Sequence, residues 1–202
     1  VSVLCLAEVD GGAVIDASLR ALSFARGLAG ADGQVAAVAF GEAAAVPAGV
    51  LAAHGATTVH VAEPATVPGY APVAWARALA GLAGSQGAAA VVAAATDRGN
   101  EVMAHLGALT GLPMAANCVS ARAAGPGEFR LTRQRWAGLL LEDALLAAPT
   151  ALLTVATDAA GAGPRADDAA ADGADADGGG AGEQVPVRVF RPDLADGDLA
   201  VC

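Results

Sequence analysis

The chain has 202 residues, enough for one full α/β domain with an appendage. Hydrophobic residues make up 55% but aromatics only 3%, so Ala, Val and Leu must build the core, and stability must come from many small contacts. A net charge of −10 and few Lys or Arg exclude a nucleic-acid groove and an anionic membrane surface, both of which need clustered cations.

Strand-like and helix-like segments alternate from the start. "SVLCLAE" is an apolar run suited to a buried parallel strand, and "DASLRALSFARGLAG" follows with Leu19, Leu22, Ala25 and Leu28 at helical spacing and Asp16 as the expected N-cap. "GQVAAVAF" is the second strand, and "AAAVPAGVLAAHGA" is a short helix stopped at Gly55. "TTVHVAE" is the third strand, with Val59 and Val61 on one face. "YAPVAWARALAGLAG" is a helix expected to turn Val73, Ala76, Leu79 and Ala80 inward. "AAAVVAAAT" is the fourth and most apolar strand, expected at the centre of the sheet, and a helix runs from about Gly99 to Thr110.

Four β-α units in succession imply an α/β fold: a three-layer, open, mostly parallel sheet with helices on both faces. After Pro113 the pattern changes. "AANCVSARA", "GEFRLTRQRWAG" and "TALLTVATD" read as strands, with a turn at Gly125-Pro126-Gly127, so antiparallel strands belong to the C-terminal part; "LLLEDALLAAP" fits a strand or a short helix. Residues 158–184 form an acidic, low-complexity tract without large apolar groups, expected as a mobile surface loop after an α/β domain of residues 1–157. "VPVRVFRPDL" then resumes strand character, so residues 185–202 hold a closing strand.

Several features are weaker than they look. Residues 79–96 are uncharged and span-length, but Ser85, Gln86 and three Gly offset the apolar gain of two Leu and two Val, so helix end, turn and strand is the better reading, with no membrane insertion. No basic region precedes the apolar N-terminus, so no signal peptide is expected. The stretch "GAGPRA" matches G-x-G-x-x-A after a strand, yet no amphipathic helix follows and the nearby Asp cluster would repel a pyrophosphate. Cys5, Cys118 and Cys202 form no C-x-x-C pair, which suits buried inert thiols in a reducing cytoplasm, and His54, His60 and His105 lack metal-ligand spacing.

Two places could carry function. Thr96, Asp97, Arg98, Gly99 and Asn100 sit at the carboxyl end of the expected central strand, where open α/β sheets bind ligands, and Glu8 ends the first strand near the same edge. The alternative is structural: Thr96 or Asp97 caps the helix and Arg98 pairs with a carboxylate. Arg133, Arg135 and Trp136 form a basic-aromatic cluster of the kind enriched at protein interfaces; Trp136 covering a sheet edge is the alternative. No nucleophile-base pair is assembled, so no catalytic residue is expected.

The order of these segments resembles the N-terminal domain of the electron transfer flavoprotein alpha subunit. "VLCLAEVDGGAVIDASLRALSFAR" is similar to that family's "V-L-x-L-A-E", polar turn and helix, and "HGATTVHVAE" to its "Y-G-A-D-K-V". "AAATDRGNEVMAHLGALTGLPMAANCV" resembles its "G-A-T-x-x-G-[KR]-D-L-A-P-R-V-A-A-x-L", and "RQRWAGLLLEDAL" with "ALLTVAT" parallels its "R-P-x-Y-A-G-x-A" hairpin and "V-L-T-V-R-P" strand. Met103-Ala104-His105 replaces "A-P-R", Gln134 replaces the hairpin Pro, and Thr154-Val155-Ala156-Thr157 lacks the Arg-Pro, marking a divergent member.

The resemblance implies a Rossmann-like, adenine nucleotide alpha hydrolase-like fold that pairs with a beta subunit and supports an FAD domain. The complete complex would carry electrons from flavin-dependent dehydrogenases. In the family a strand like "DLADGDLAVC" leads into the FAD domain, which implies either a fragment, favoured because Cys202 ends the chain in mid-strand, or a natural stand-alone shell. It further implies that no cofactor is held in this chain and that the corner at Glu8 and residues 96–100 is a relic of a nucleotide site. The competing expectation is a stand-alone adenine-nucleotide-binding module of the universal-stress-like class.

Overall fold

The computed structural model describes residues 1–63, 67, 69–159 and 185–194. Its frame is a nine-stranded sheet in the order β11-β5-β4-β1-β6-β10-β7-β8-β9. The strands are β1 (Ser2–Leu6), β4 (Gln34–Phe40), β5 (Thr58–Ala62), β6 (Ala90–Ala94), β7 (Met114–Gly125), β8 (Glu128–Arg135), β9 (Leu140–Ala147), β10 (Ala151–Val155) and β11 (Val187–Val189). A separate ribbon, β2 (Val9–Asp10) with β3 (Ala13–Val14), follows β1. Neighbours from β11 across to β7 run parallel; β7–β8 and β8–β9 are antiparallel. The mostly parallel α/β sheet with a C-terminal antiparallel part is the architecture that the segment order implies.

Strand β6 is the middle strand of the nine, and every one of its residues is buried. An Ala-Val run without polar alternation suits only a strand covered on both faces. The covers are α1 (Asp16–Ala29) and α2 (Ala48–Ala53) on one side, α3 (Pro72–Gln86) and α4 (Asp97–Thr110) on the other. Leu22, Ala25 and Leu28 pack with Val3, Cys5, Val92 and Leu153, while Leu79, Met103 and Leu106 pack with Leu4, Val91 and Leu152. Alternate residues of each central strand thus feed two cores.

Four local expectations need correction. The N-cap of α1 is Ile15; Asp16 is the first helical residue and pairs with Arg20 one turn later. The inward face of α3 is set by Ala74, Trp75, Ala78 and Leu82 beside Ala76 and Leu79, leaving Val73 and Ala80 half-buried, because the bulky indole fixes the helix rotation. Helix α4 starts at Asp97, two residues before Gly99. The second helix is interrupted, with a 3-10 turn at Ala43–Ala45 before α2, because Pro47 cannot continue a hydrogen-bonded run. The ambiguous "LLLEDALLAAP" is strand β9, paired residue by residue along β8.

The Gly125-Pro126-Gly127 turn joins β7 to β8, with Gly127 at φ +69 where an L side chain is disfavoured. Asp158 lies within the folded part, accepting from Gln134 Nε2 at 3.1 Å, and Ala159 is buried. The remainder of the acidic tract, including "GAGPRA", and Cys202 lie outside the described residues. Cys5 and Cys118 are buried, and burial pushes both thiols up to about 12. Among the described residues no helix is long and apolar enough to cross a membrane, and no three His, Cys, Asp or Glu gather to hold a metal ion.

Strand β11 closes the sheet edge at β5, placing Arg188 opposite His60. His60 is 6% exposed, lies within 2.9 Å of Gln86 Nε2, and meets the Phe190 ring edge-on. Burial, and then the Arg188 cation, hold its imidazole below the usual range. The unfolded chain therefore takes up the proton more readily, so this contribution to stability is full above about pH 6.5 and falls as pH drops through that value toward the folded one. Thermal melts across this range should show a loss of stability below about pH 6.5, smaller in His60→Gln; equal slopes for the two proteins would exclude the assignment.

Candidate functional site

In chain order the parallel strands run outward from β1 to β4 and β5 on one side, then resume at β6 on the other. The crevice between the carboxyl ends of β1 and β6 is the topological switch point, where open α/β sheets bind ligands. Glu8 and Thr96 stand at its two lips.

The corner is built around a missing side chain. Gly99, in the first turn of α4, is buried, and a Cβ placed there would lie 2.0 Å from the carbonyl oxygen of Ala94 at the end of β6. Thr96 is the N-cap: its Oγ1 accepts from Gly99 N at 2.9 Å and donates to Glu8 Oε1 at 2.5 Å. Glu8 is 7% exposed, and its backbone N–H donates to Ser18 Oγ at 3.0 Å. Asn100 Oδ1 accepts from Thr154 Oγ1 at 2.9 Å, and that hydroxyl accepts from Asn117 N at 3.1 Å. Side-chain hydrogen bonds thus tie β1 to the start of α4 across the crevice, and α4 to β10 and β7 beside it.

Five of the six residues singled out from sequence at this corner take part in its scaffold or its rim. Glu8, Thr96, Gly99 and Asn100 converge; Arg98 stacks over the Tyr70 ring, 5.1 Å from its centroid, in place of the expected carboxylate. Asp97 is exposed in the first helical turn. Sequence reading missed Tyr70, whose hydroxyl donates to Glu101 at 2.5 Å, and the ring series behind it. Tyr70 meets Trp75 edge-on, and Trp75 stacks flat on Phe40 with centroids 4.2 Å apart. With one Tyr and two Trp in the chain, that scarcity was a usable signal. Burial foremost, then the Glu101 carboxylate, raises the Tyr70 hydroxyl well above its usual range, so it stays a proton donor to Glu101.

Chemically the corner does not fit a phosphate. The Glu8 carboxylate already stands at the N-terminal end of α4, where an anion would meet the helix amides.

The second candidate lies at the β8–β9 turn. Trp136, Ala137 and Gly138 all have left-handed backbones, at φ 53, 52 and 85, and Leu139 N donates to Trp136 O at 3.1 Å. A left-handed Trp and Ala are costly, and such strain persists where it serves a site. Trp136 is 76% exposed and Leu139 84% exposed, so the indole covers no sheet edge. Arg133 Nε donates to Glu142 Oε2 at 2.7 Å, and Arg135 Nε lies 3.8 Å from the same oxygen. The Arg133 hydrogen bond chiefly holds the Glu142 carboxyl below its usual range. The three residues of this cluster therefore share one hairpin end, with the arginines fastened and the aromatic free.

Gly99→Ala should destabilise by roughly 1–3 kcal/mol, because a backbone carbonyl cannot yield as a flexible side chain would, and this outweighs the usual gain of Ala in a helix. Thr96→Ala should cost about 1–2 kcal/mol through the lost cap and an orphaned carboxylate, with Thr96→Ser close to wild type. Urea unfolding measures both; neutrality of Gly99→Ala would exclude the close approach.

The family model described as "Electron transfer flavoprotein domain" matches residues 3–187. Two curated relatives, both "Electron transfer flavoprotein subunit alpha" of Mycobacterium tuberculosis (strains CDC 1551 / Oshkosh and ATCC 25618 / H37Rv), are 34% identical over 190 residues. That alignment covers 93% of this chain and 53% of each relative, so the chain spans about half the length of the curated relatives it matches. The chain belongs to the electron transfer flavoprotein domain family, as a domain of the alpha-subunit type.

Proposed function

We propose that this domain is the N-terminal scaffold of an electron transfer flavoprotein alpha subunit. It seats a beta-type subunit and supports an FAD-holding domain, and the complex shuttles electrons from flavin-dependent dehydrogenases. The domain supplies no catalytic group; FAD belongs to the complete complex, since the Glu8 corner, the nucleotide-like feature of this chain, presents a carboxylate where the cofactor's phosphates would need amides. The observation that carries the docking role is the hairpin end: an exposed Trp136 held by consecutive left-handed residues, flanked by exposed Leu139 and Leu140. Exposed aromatic and aliphatic groups beside Arg are the composition of an interface centre. A reducing cytoplasmic setting suits the buried thiols of Cys5 and Cys118.

The stand-alone nucleotide module is the lesser reading, because Thr96 and Glu8 spend polar atoms on each other and Asn100 spends its Oδ1 on Thr154. We expect no calorimetric heat with AMP or ATP at millimolar concentration; saturable binding abolished by Glu8→Ala would favour the nucleotide module. Co-production with a beta-type subunit of the same organism should yield a complex, and Trp136→Ala should weaken it at least about tenfold, as truncation of an interface anchor does. An unchanged affinity in Trp136→Ala would remove the hairpin end from the interface.

A further inference from the structure

Strands β7, β8 and β9 present two faces, and only one belongs to the core. Phe129, Leu131 and Leu146 pack against the α1-side cluster. The opposite face is left uncovered by the described residues. On it Arg122 stands directly across from Arg130, and Arg130 directly across from Leu145; Ser120, Thr132 and Asp143 form the next rung. These residues line a groove of about 450 Å³. Leu141 and Leu145, on the same face, are 67% and 57% exposed.

The charges on the two faces are treated differently. Arg133 and Arg135 on the core-side face share Glu142. Arg122 and Arg130 are both exposed, and neither forms an ion pair among the described residues. Like charges directly opposite on neighbouring strands repel, so the pair weakens the isolated sheet. Of the acids on this face, Asp143 takes the Thr132 hydroxyl at 2.7 Å, and Glu128, two residues before Arg130, pairs with neither guanidinium.

We propose that this uncovered face docks a carboxylate-bearing segment of a partner polypeptide, with Arg122 and Arg130 as a paired guanidinium clamp and Leu141 and Leu145 as its apolar flank. The charge complement of two opposed guanidiniums is carboxylate, which they bind with fixed fork geometry. A free small anion would leave both leucines in water, whereas a polypeptide covers them and relieves the Arg–Arg repulsion at once. The inference rests on the reading of this domain as a subunit of a heteromeric complex, and it adds a contact region separate from the Trp136 turn.

The test titrates a beta-type subunit of the same organism against the full chain at low and high salt. Wild type should bind more weakly as salt rises. R122E/R130E should bind at least about tenfold more weakly at low salt, with a flatter salt dependence and an unchanged melting temperature. R122Q/R130Q should lose affinity in the same direction, and serves if charge reversal perturbs folding. Wild-type affinity in both double variants overturns the clamp while leaving the scaffold reading intact. Failure of the wild-type chain itself to bind overturns both readings. Self-association of wild type, seen by sedimentation and dissolved in R122E/R130E, would make the occupant a second copy and overturn the proposal as stated.

Discussion

Helix α4 reaches strand β6 only because residue 99 carries no side chain, and the arrangement of the switch-point crevice follows from that approach. With the Ala94 carbonyl oxygen 2.0 Å from where a Cβ would stand, the first turn of α4 sits on the strand end. That contact sets Thr96 where its hydroxyl can both cap the helix and meet Glu8 across the crevice. A nucleotide site of the same topology would leave those helix amides open to phosphate. Here a carboxylate of 7% exposure occupies the approach, so the crevice becomes a brace between the two halves of the sheet.

With the crevice braced, the exposed apolar surface of the sheet lies elsewhere. Strands β1, β4, β6 and β10 are covered on both faces by four helices and spend nearly all their side chains on packing. Strand β7 is twelve residues long against five for β10 beside it, so its far part outruns the helical layers. Only β8 and β9 pair there, and half their side chains have no helix to meet. Trp136, Leu139, Leu140, Leu141 and Leu145, half of the exposed large apolar residues among those described, lie in this extension. Contiguous exposed apolar groups on a folded domain mark a contact surface.

Much of the frame was legible because the parallel strands announce themselves. "VVAAA" cannot be an amphipathic helix or a half-exposed strand, and it is the middle strand of the sheet. Val59 and Val61 alternate as read, both fully buried. The illegible parts have physical reasons. Strand β9 reads "LLEDALLA", and of its leucines Leu140, Leu141 and Leu145 are exposed while Leu146 is half-buried, which defeats any period that assumes apolar means inside. The rotation of α3 was misread because an Ala-rich helix has nearly equal faces, and one indole decides between them. At the corner Glu8, Thr96 and Asn100 were visible as polar groups at strand ends, but not that Thr96 engages Glu8 and Asn100 engages Thr154. Tyr70 comes from a turn twenty-six residues earlier than Thr96, and only the fold brings it over Arg98.

The two guanidinium pairs on the β8 strand and its neighbours show why exposure alone does not define a surface. Arg133 and Arg135 sit two residues apart and converge on one carboxylate, so each is already oriented and partly neutralised. Arg122 and Arg130 are brought together by register, from different strands, with the nearest acids engaged elsewhere or out of reach. The first arrangement stiffens a hairpin; the second adds repulsion to it. A sheet that tolerates the repulsion when alone gains most when an outside carboxylate removes it. Under the proposed docking, stability of the isolated domain and affinity for the partner are opposed at the same two side chains.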